Sequence, residues 1–218
     1  MSPLPAQTAD HWWQRPGRAP GRLQYHWHVL FHDHPAVHEL VRMAQRRLAG
    51  LPGLDLVPQQ WLHLTTLVAG FADEVSDTQV AAMTAGARRI LADVAPIPVT
   101  FGRVYYHPEA IVLLAEPPAA LFPVLAAVTA ASQAAGCPGQ PGTNPWRPHV
   151  SVAYSRAAGP AGPLIAALGR QLPATDITVS TVSLVAQTQV GRSWQWRPVD
   201  EVILAGGGVR DQPAAAGR

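Results

Sequence analysis

The sequence predicts an α+β protein of two similar lobes, each an antiparallel sheet with helices on its outer face. Two observations support this fold class. The order strand, turn, helix, strands begins at Gln60 and begins again at Pro148, which suggests a structural repeat. The chain also has 218 residues, 48% of them hydrophobic, enough to fill one large core or two small ones.

The first half of the chain alternates between strand and helix patterns. Tyr25–Phe31 is aromatic and β-branched, which is typical of a strand. Apolar residues at helical spacing predict a helix over Pro35–Leu48. A second strand is expected at Gln60–Val68, and Thr78 is expected to cap a helix that runs to about Asp93.

The second half adds a hairpin, two helices and three strands. The segments Pro98–Tyr106 and Ile111–Ala115 have the pattern of a β-hairpin, and Ala119–Ala135 is an alanine-rich helix. The remaining predicted elements are strands at His149–Tyr154, Ile177–Gln187 and Trp194–Leu204 and a short helix at Pro163–Leu172.

The two ends of the chain differ in composition from the part between them. Residues 1–22 are polar and rich in proline, and residues 206–218 follow the last predicted strand. We therefore expect a flexible leader at 1–22, a single bilobal domain at 23–205 and a flexible tail at 206–218.

Charge and cysteine content limit the partners and the compartment. All 16 basic residues are arginines, and the net charge is only +2, which disfavours a polybasic nucleic-acid binder and leaves room for a small anionic ligand or an RNA end. Cys137 is the single cysteine, and no long apolar segment occurs. We therefore expect a cytoplasmic monomer with no membrane or DNA partner.

Two short motifs carry the chemistry. Each places a histidine two residues before a hydroxyl on a predicted strand: His63 with Thr65, and His149 with Ser151. Residues two apart on a strand project from one face, so each motif aims an imidazole and a hydroxyl at the same space. One imidazole can then act as a base and the other as an acid, while the hydroxyls bind phosphate oxygens. This scheme requires no metal and no cofactor.

Other side chains have two interpretations each. Arg147 is a candidate to clamp a phosphate, with a surface ion pair as the alternative. Tyr154 is a candidate to stack on a base, with a core position as the alternative. A histidine cluster could bind a metal, but a strand edge with histidines facing solvent fits it better; within it, His28 is the residue that a first strand would aim at the cleft. The cluster consists of His26, His28, His32, His34 and His38.

The segments Trp61–Gly70 and Arg147–Ala153 resemble the two signature segments of the 2H phosphoesterases, and within them the 2′-5′ RNA ligase-like family. The resemblance implies a bilobal, pseudo-two-fold fold with a central cleft. It also implies action on 2′,3′-cyclic phosphate or 2′-5′ phosphodiester linkages of RNA ends or nucleotides. His63 and His149 match the general acid/base pair, and Thr65 and Ser151 match the phosphate-binding hydroxyls. Ser151 departs from the commoner threonine but keeps the hydroxyl.

Two functions from different classes remain open at this stage. The first is a metal-independent cyclic phosphodiesterase or 2′-5′ RNA ligase-like enzyme. The second is a binding module that holds a nucleotide or RNA end in the same cleft without turnover. The presence of two paired histidines favours the enzyme, because binding alone needs no acid and base. Without the resemblance, buried and hydrogen-bonded strand histidines would explain the motifs equally well.

Overall fold

A computed structural model describes residues 4–13, 21–141 and 145–207. The strands are β1 Gln7–Thr8, β2 Gln24–Leu30, β3 Leu54–Leu56, β4 His63–Phe71, β5 Ile97–His107, β6 Ala110–Glu116, β7 Gln140–Pro141, β8 His149–Ser155, β9 Gly159–Pro160, β10 Gln171–Val179, β11 Thr181–Val190 and β12 Ser193–Ile203. The α-helices are α1 Pro35–Leu48, α2 Asp77–Leu91, α3 Phe122–Ala134 and α4 Gly162–Leu168, with short 3₁₀ turns at Gln59–Trp61 and Pro118–Leu121.

Most strands belong to two five-stranded antiparallel sheets. The His63 sheet has the order β12-β11-β2-β4-β7, and the His149 sheet has the order β10-β5-β6-β8-β3. Each motif strand therefore lies one position in from the edge of its sheet. The predicted α+β fold of two antiparallel sheets with helices is confirmed.

The repeat in the element order suggested that the two lobes are consecutive halves of the chain. The structure shows that they are not. The His63 sheet combines β2 and β4 with the C-terminal strands β11 and β12. The predicted strand Ile177–Gln187 is in fact two strands, β10 and β11, which separate at Ser180 and enter different sheets. Both sections have strand-forming residues, so local pattern alone cannot locate the change of sheet.

The helices cover the outer faces of both sheets. α2 and α3 pack together against the His63 sheet, while α1 packs against the His149 sheet and α4 packs on α1. On β2, the fully buried Trp27 indole donates a hydrogen bond to Ser132 Oγ of α3 over 3.1 Å. Since side chains alternate along a strand, His26 and His28 project to the opposite face, away from the helices.

Two helix ends differ from their predictions. α2 is capped by Ser76 rather than Thr78, through a capping box in which Ser76 and Gln79 bond each other's backbone N–H groups. This arrangement satisfies two N–H donors, which a cap two residues later would leave unpaired. The short helix predicted at Pro163–Leu172 ends at Leu168, where Gly169 adopts φ +74° and turns the chain into β10.

Residues 4–13 lie against the domain. Gln7–Thr8 pairs with Gly159–Pro160, and the Trp12 indole donates to Asp55 Oδ2 over 2.9 Å. The division into leader, domain and tail stays a prediction. Of the predicted leader, 1–3 and 14–20 lie outside the described residues, as does 208–218 of the predicted tail. Among the helices described, none has the length and apolar character that crossing a bilayer requires.

Candidate active site

The two motif histidines occupy the first position of their strands. His63 begins β4 and His149 begins β8, and these two strands contact each other across the interface between the sheets. Both imidazoles line one cavity of about 570 Å³. The topology therefore brings two motifs that are far apart in sequence to a single space.

Both imidazoles are held in the same way. The Nδ1 atom of His63 lies 2.8 Å from the carbonyl oxygen of Trp61, and the Nδ1 atom of His149 lies 2.6 Å from that of Arg147. A carbonyl oxygen only accepts, so each Nδ1 carries a proton and donates it. The Nε2 atom of each ring is then the site that gains or loses a proton.

The two hydroxyls line the same cavity but differ in their neighbours. Thr65 lies opposite His28 in the strand register, and its Oγ1 is 3.3 Å from Nε2 of that histidine. Ser151 lies opposite Val112, which offers no polar group. The two motifs thus share an imidazole and a hydroxyl, but they differ in the residue that the neighbouring strand pairs with the hydroxyl residue.

Burial sets the protonation of both histidines in the free protein. It lowers the pKa of His63 to about 4, an effect that the Trp61 carbonyl opposes and that His149 increases. Burial also lowers the pKa of His149, which the Arg147 carbonyl opposes and His107 increases. Both rings are therefore neutral at pH 7. A negative charge placed between the two rings would favour their charged forms and raise both pKa values.

All six candidate site residues line this one cavity: His63, His149, Thr65, Ser151, Arg147 and Tyr154. The Arg147 guanidinium lies over the ring of Tyr105, 4.9 Å from its centroid, and Tyr105 also lines the cavity. A planar cation stacked on an aromatic ring keeps its N–H groups in the plane of the guanidinium, where they can meet phosphate oxygens.

The sequence model of the 2′-5′ RNA ligase superfamily matches residues 32–191, more than half of the chain, and this span contains both motifs. The chain belongs to the 2′-5′ RNA ligase superfamily. The resemblance to the 2H phosphoesterases is confirmed, and with it a phosphoesterase or ligase-like type of enzyme. No curated protein matches the sequence itself.

Solved structures similar to this superfamily member have little sequence identity to it and support the fold. The TT0787 protein of Thermus thermophilus has a TM-score of 0.63 and 20% identity, covering 84% of this chain and 98% of its own. E. coli LigT, in complex with 3′-AMP, has a TM-score of 0.60 and 16% identity over 84% of this chain and 99% of its own. The MHV ns2 PDE domain has a TM-score of 0.52 and 11% identity, covering 81% of this chain and 99% of its own.

His11 lines the cavity of this superfamily member, although the sequence placed it in the leader. Its ring stacks on Tyr154 with centroids 4.1 Å apart and planes at 20°, so one face of Tyr154 is already covered. The Trp194 indole donates to His11 Nε2 over 2.9 Å. His11 and Trp194 both lie outside the span that the superfamily model matches. The sequence feature that could have indicated the contact of this segment with the domain is the Trp12-Trp13 pair, because the rest of the segment is mostly polar.

His26 and His28 are buried, at 4% and 0% exposure, which contradicts the expectation of a solvent-facing strand edge. The reason is that β2 is the central strand of its sheet. The His28 ring stacks on His63 with centroids 4.1 Å apart and planes at 16°. Burial holds the pKa of His28 well below its ordinary value, and His63 and His26 add to the shift.

The remaining histidines of the cluster are dispersed. His38 is hydrogen-bonded to Gln59 and to the Phe31 carbonyl, and His32 is exposed beside Asp33. Within residues 4–13, 21–141 and 145–207, no three His, Cys, Asp or Glu side chains are grouped as metal ligands would be.

Proposed function

We propose that this protein is a metal-independent phosphoesterase that acts on 2′,3′-cyclic phosphate or 2′-5′ phosphodiester linkages of RNA ends or nucleotides. The observation that carries the proposal is the pair of matched imidazoles in one cavity. Both Nδ1 atoms are tied to backbone carbonyls, so both Nε2 atoms are available for proton transfer.

The proposed hydrolysis uses one proton transfer at each ring. One neutral imidazole takes a proton from water as the water oxygen bonds to phosphorus. The other, protonated in the presence of the phosphate anion, gives its Nε2 proton to the ribose oxygen as the P–O bond to that oxygen breaks. Thr65 and Ser151 donate hydrogen bonds to the non-bridging oxygens, where negative charge is held in the transition state. Ligation is the same exchange with a ribose hydroxyl in place of water.

A nucleotide substrate fits the size of the cavity and the structural comparisons. Cavities that bind small molecules usually measure about 300–1,000 Å³, and this one measures about 570 Å³. E. coli LigT has been crystallised with 3′-AMP, NADP+ and ATP, so a protein of this fold binds nucleotides. Arg147 and Tyr154 are proposed to contact the phosphate and the nucleoside.

A substrate screen in excess chelator tests the proposal. The purified protein is incubated with the four nucleoside 2′,3′-cyclic phosphates and with 2′-5′ dinucleotides, and products are separated by chromatography. We expect turnover of at least one substrate, unchanged by the chelator. Tight binding of these ligands without any product would instead support the non-catalytic binding module. Activity that is lost with the chelator and restored by a metal ion would contradict the metal-independent mechanism.

A further inference from the structure

A second cavity of about 600 Å³ adjoins the candidate active site. We call it the arginine groove, and define it by Arg103, Arg147, Arg170 and Glu116, which all line it. Arg147 lines both cavities, as do Tyr105 and Leu114. The groove therefore begins where the active site ends, and the two can be occupied by one extended molecule.

Side chains of strand β5 line both cavities. His107, Tyr105 and Arg103 are spaced two residues apart, so their side chains project from the same face of the strand. His107 lines the active-site cavity, Tyr105 lines both cavities, and Arg103 lines the groove. Arg103 lies opposite Gln171 in the strand register, and the Val104 N–H donates to the Arg170 carbonyl, so the chain at Arg170 runs alongside this end of β5. Arg103 and Arg170 both line the groove.

The groove has a surplus of positive charge. Its three arginines are accompanied by one carboxylate, Glu116, which accepts a hydrogen bond from Arg103 Nη1 over 3.0 Å. Arg170 is exposed, and its guanidinium has no ion-pair or hydrogen-bond partner among the described residues. Three guanidinium groups with one carboxylate at a concave surface favour an anion that accepts paired hydrogen bonds, of which phosphate is the best match.

We propose that the arginine groove binds the phosphate of the nucleotide next to the reactive linkage, so that the preferred substrate is an oligonucleotide end. This inference rests on the proposed function, because the reactive phosphate must occupy the space between His63 and His149. A free cyclic mononucleotide fills that space with its only phosphate and leaves the groove empty. An oligonucleotide has a further phosphate to place beyond Arg147, against Arg103 and Arg170.

Two measurements test the inference, one of binding and one of turnover. Binding uses a 3′-phosphorylated tetranucleotide and the matching nucleoside 3′-phosphate, with affinities compared in the full-length protein. Turnover uses the same pair carrying 2′,3′-cyclic phosphate ends. The variants are Arg170→Ala and Arg103→Ala. The control is Arg89→Ala, which removes an exposed arginine on α2, the helix packed against the other sheet.

We expect the tetranucleotide to bind more tightly than the mononucleotide in the wild-type protein. Each groove variant should weaken tetranucleotide binding by about tenfold, the effect of losing one charged hydrogen-bonded contact, and should leave mononucleotide binding unchanged. The salt dependence of tetranucleotide binding should also become shallower, because fewer phosphate charges are neutralised. The Arg89→Ala control should behave as the wild type.

Equal affinity for the two ligands, or an equal loss for both in the groove variants, would overturn the inference even if both cyclic phosphates are hydrolysed. Conversely, tetranucleotide binding that depends on Arg170 without turnover of either substrate would support the groove and contradict the proposed catalytic function. The binding result thus decides the inference, and the turnover result decides the proposed function.

Discussion

At the scale of single residues, the two motifs differ in the residue that the neighbouring strand pairs with the hydroxyl residue. His28 is paired with Thr65, whereas Val112 is paired with Ser151. For Thr65 to donate its proton to a phosphate, the Nε2–H of His28 must donate to Thr65 Oγ1. That leaves His28 Nδ1, which is buried and has no partner among the described residues, as an unused acceptor. The His28 ring also packs against His63. His28 therefore positions the first motif.

Replacing His28 by valine should test this positioning. Val112 occupies the corresponding place in the other sheet, so we expect the variant to fold. One neutral hydrogen bond is worth about 0.5–1.5 kcal/mol, which predicts about a two- to thirteenfold loss in kcat/KM for a cyclic phosphate. Because His28 acts through Thr65, adding Thr65→Val to His28→Val should cost less than Thr65→Val alone. Fully additive losses would contradict the coupling between the two residues.

The pH dependence of stability follows from the lowered pKa of His63. Its folded-state pKa is about 4 and its ordinary value is 6.5, so the unfolded chain binds more protons between these values. The stabilisation is complete above pH 6.5 and is lost as the pH falls towards 4, with a magnitude on the order of 1–3 kcal/mol. Between pH 7.5 and pH 5, the free energy of unfolding measured in urea should fall by less for His63→Gln than for the wild type. An equal loss would contradict a buried, neutral His63.

At the scale of secondary-structure elements, local patterns predicted most of the helices and strands. The helix at Pro35–Leu48 has the predicted bounds, because its apolar face and its proline at the start are local signals. The sequence also indicated that each motif lies on a strand. What it could not supply was the position of β2 at the centre of its sheet, which determines that His26 and His28 are buried. Strand order depends on pairing between distant segments.

The segment at residues 4–13 illustrates the same limit, since its contacts are with residues far along the chain. Besides the pairing of β1 with β9, the Ala9 N–H donates to the Pro108 carbonyl and the His11 N–H donates to that of Ser155. The His11 ring then covers Tyr154 at one side of the active-site cavity. The segment therefore belongs to the wall of the candidate active site.

Deletion of residues 1–13 should lower the melting temperature. An aromatic pair such as His11–Tyr154 contributes about 0.5–1.5 kcal/mol beyond its buried area, and about 1 kcal/mol shifts the Tm of a protein of this size by about 2–4 °C. With the hydrogen bonds of Trp12 and of the backbone also lost, we expect a decrease of several degrees, measured by calorimetry. Deletion of residues 208–218 is the matched control. An unchanged Tm after the N-terminal deletion would show that the segment does not stabilise the fold.

At the scale of the whole molecule, the two lobes are interleaved along the chain. The chain passes from one sheet to the other for the last time between β10 of the His149 sheet and β11 of the His63 sheet. The strands of the two sheets therefore alternate along the chain, and the two motif strands contact each other at the interface between the sheets. The two His-x-Thr/Ser motifs could be found in the sequence because their chemistry is local. The arginine groove could not, because Arg103, Arg147 and Arg170 are brought together only by strand pairing.

The most direct test of the central claim is the turnover of a 2′,3′-cyclic phosphate by His63→Ala, His149→Ala and the double variant, in excess chelator. A general acid or base contributes about 10²- to 10⁴-fold, so each single variant should lose that factor. If the two imidazoles act in one step, as proposed, the double variant should lose little more than the worse single variant. The exposed His32→Ala is the matched control and should keep wild-type turnover. Turnover that survives in the double variant would contradict the account.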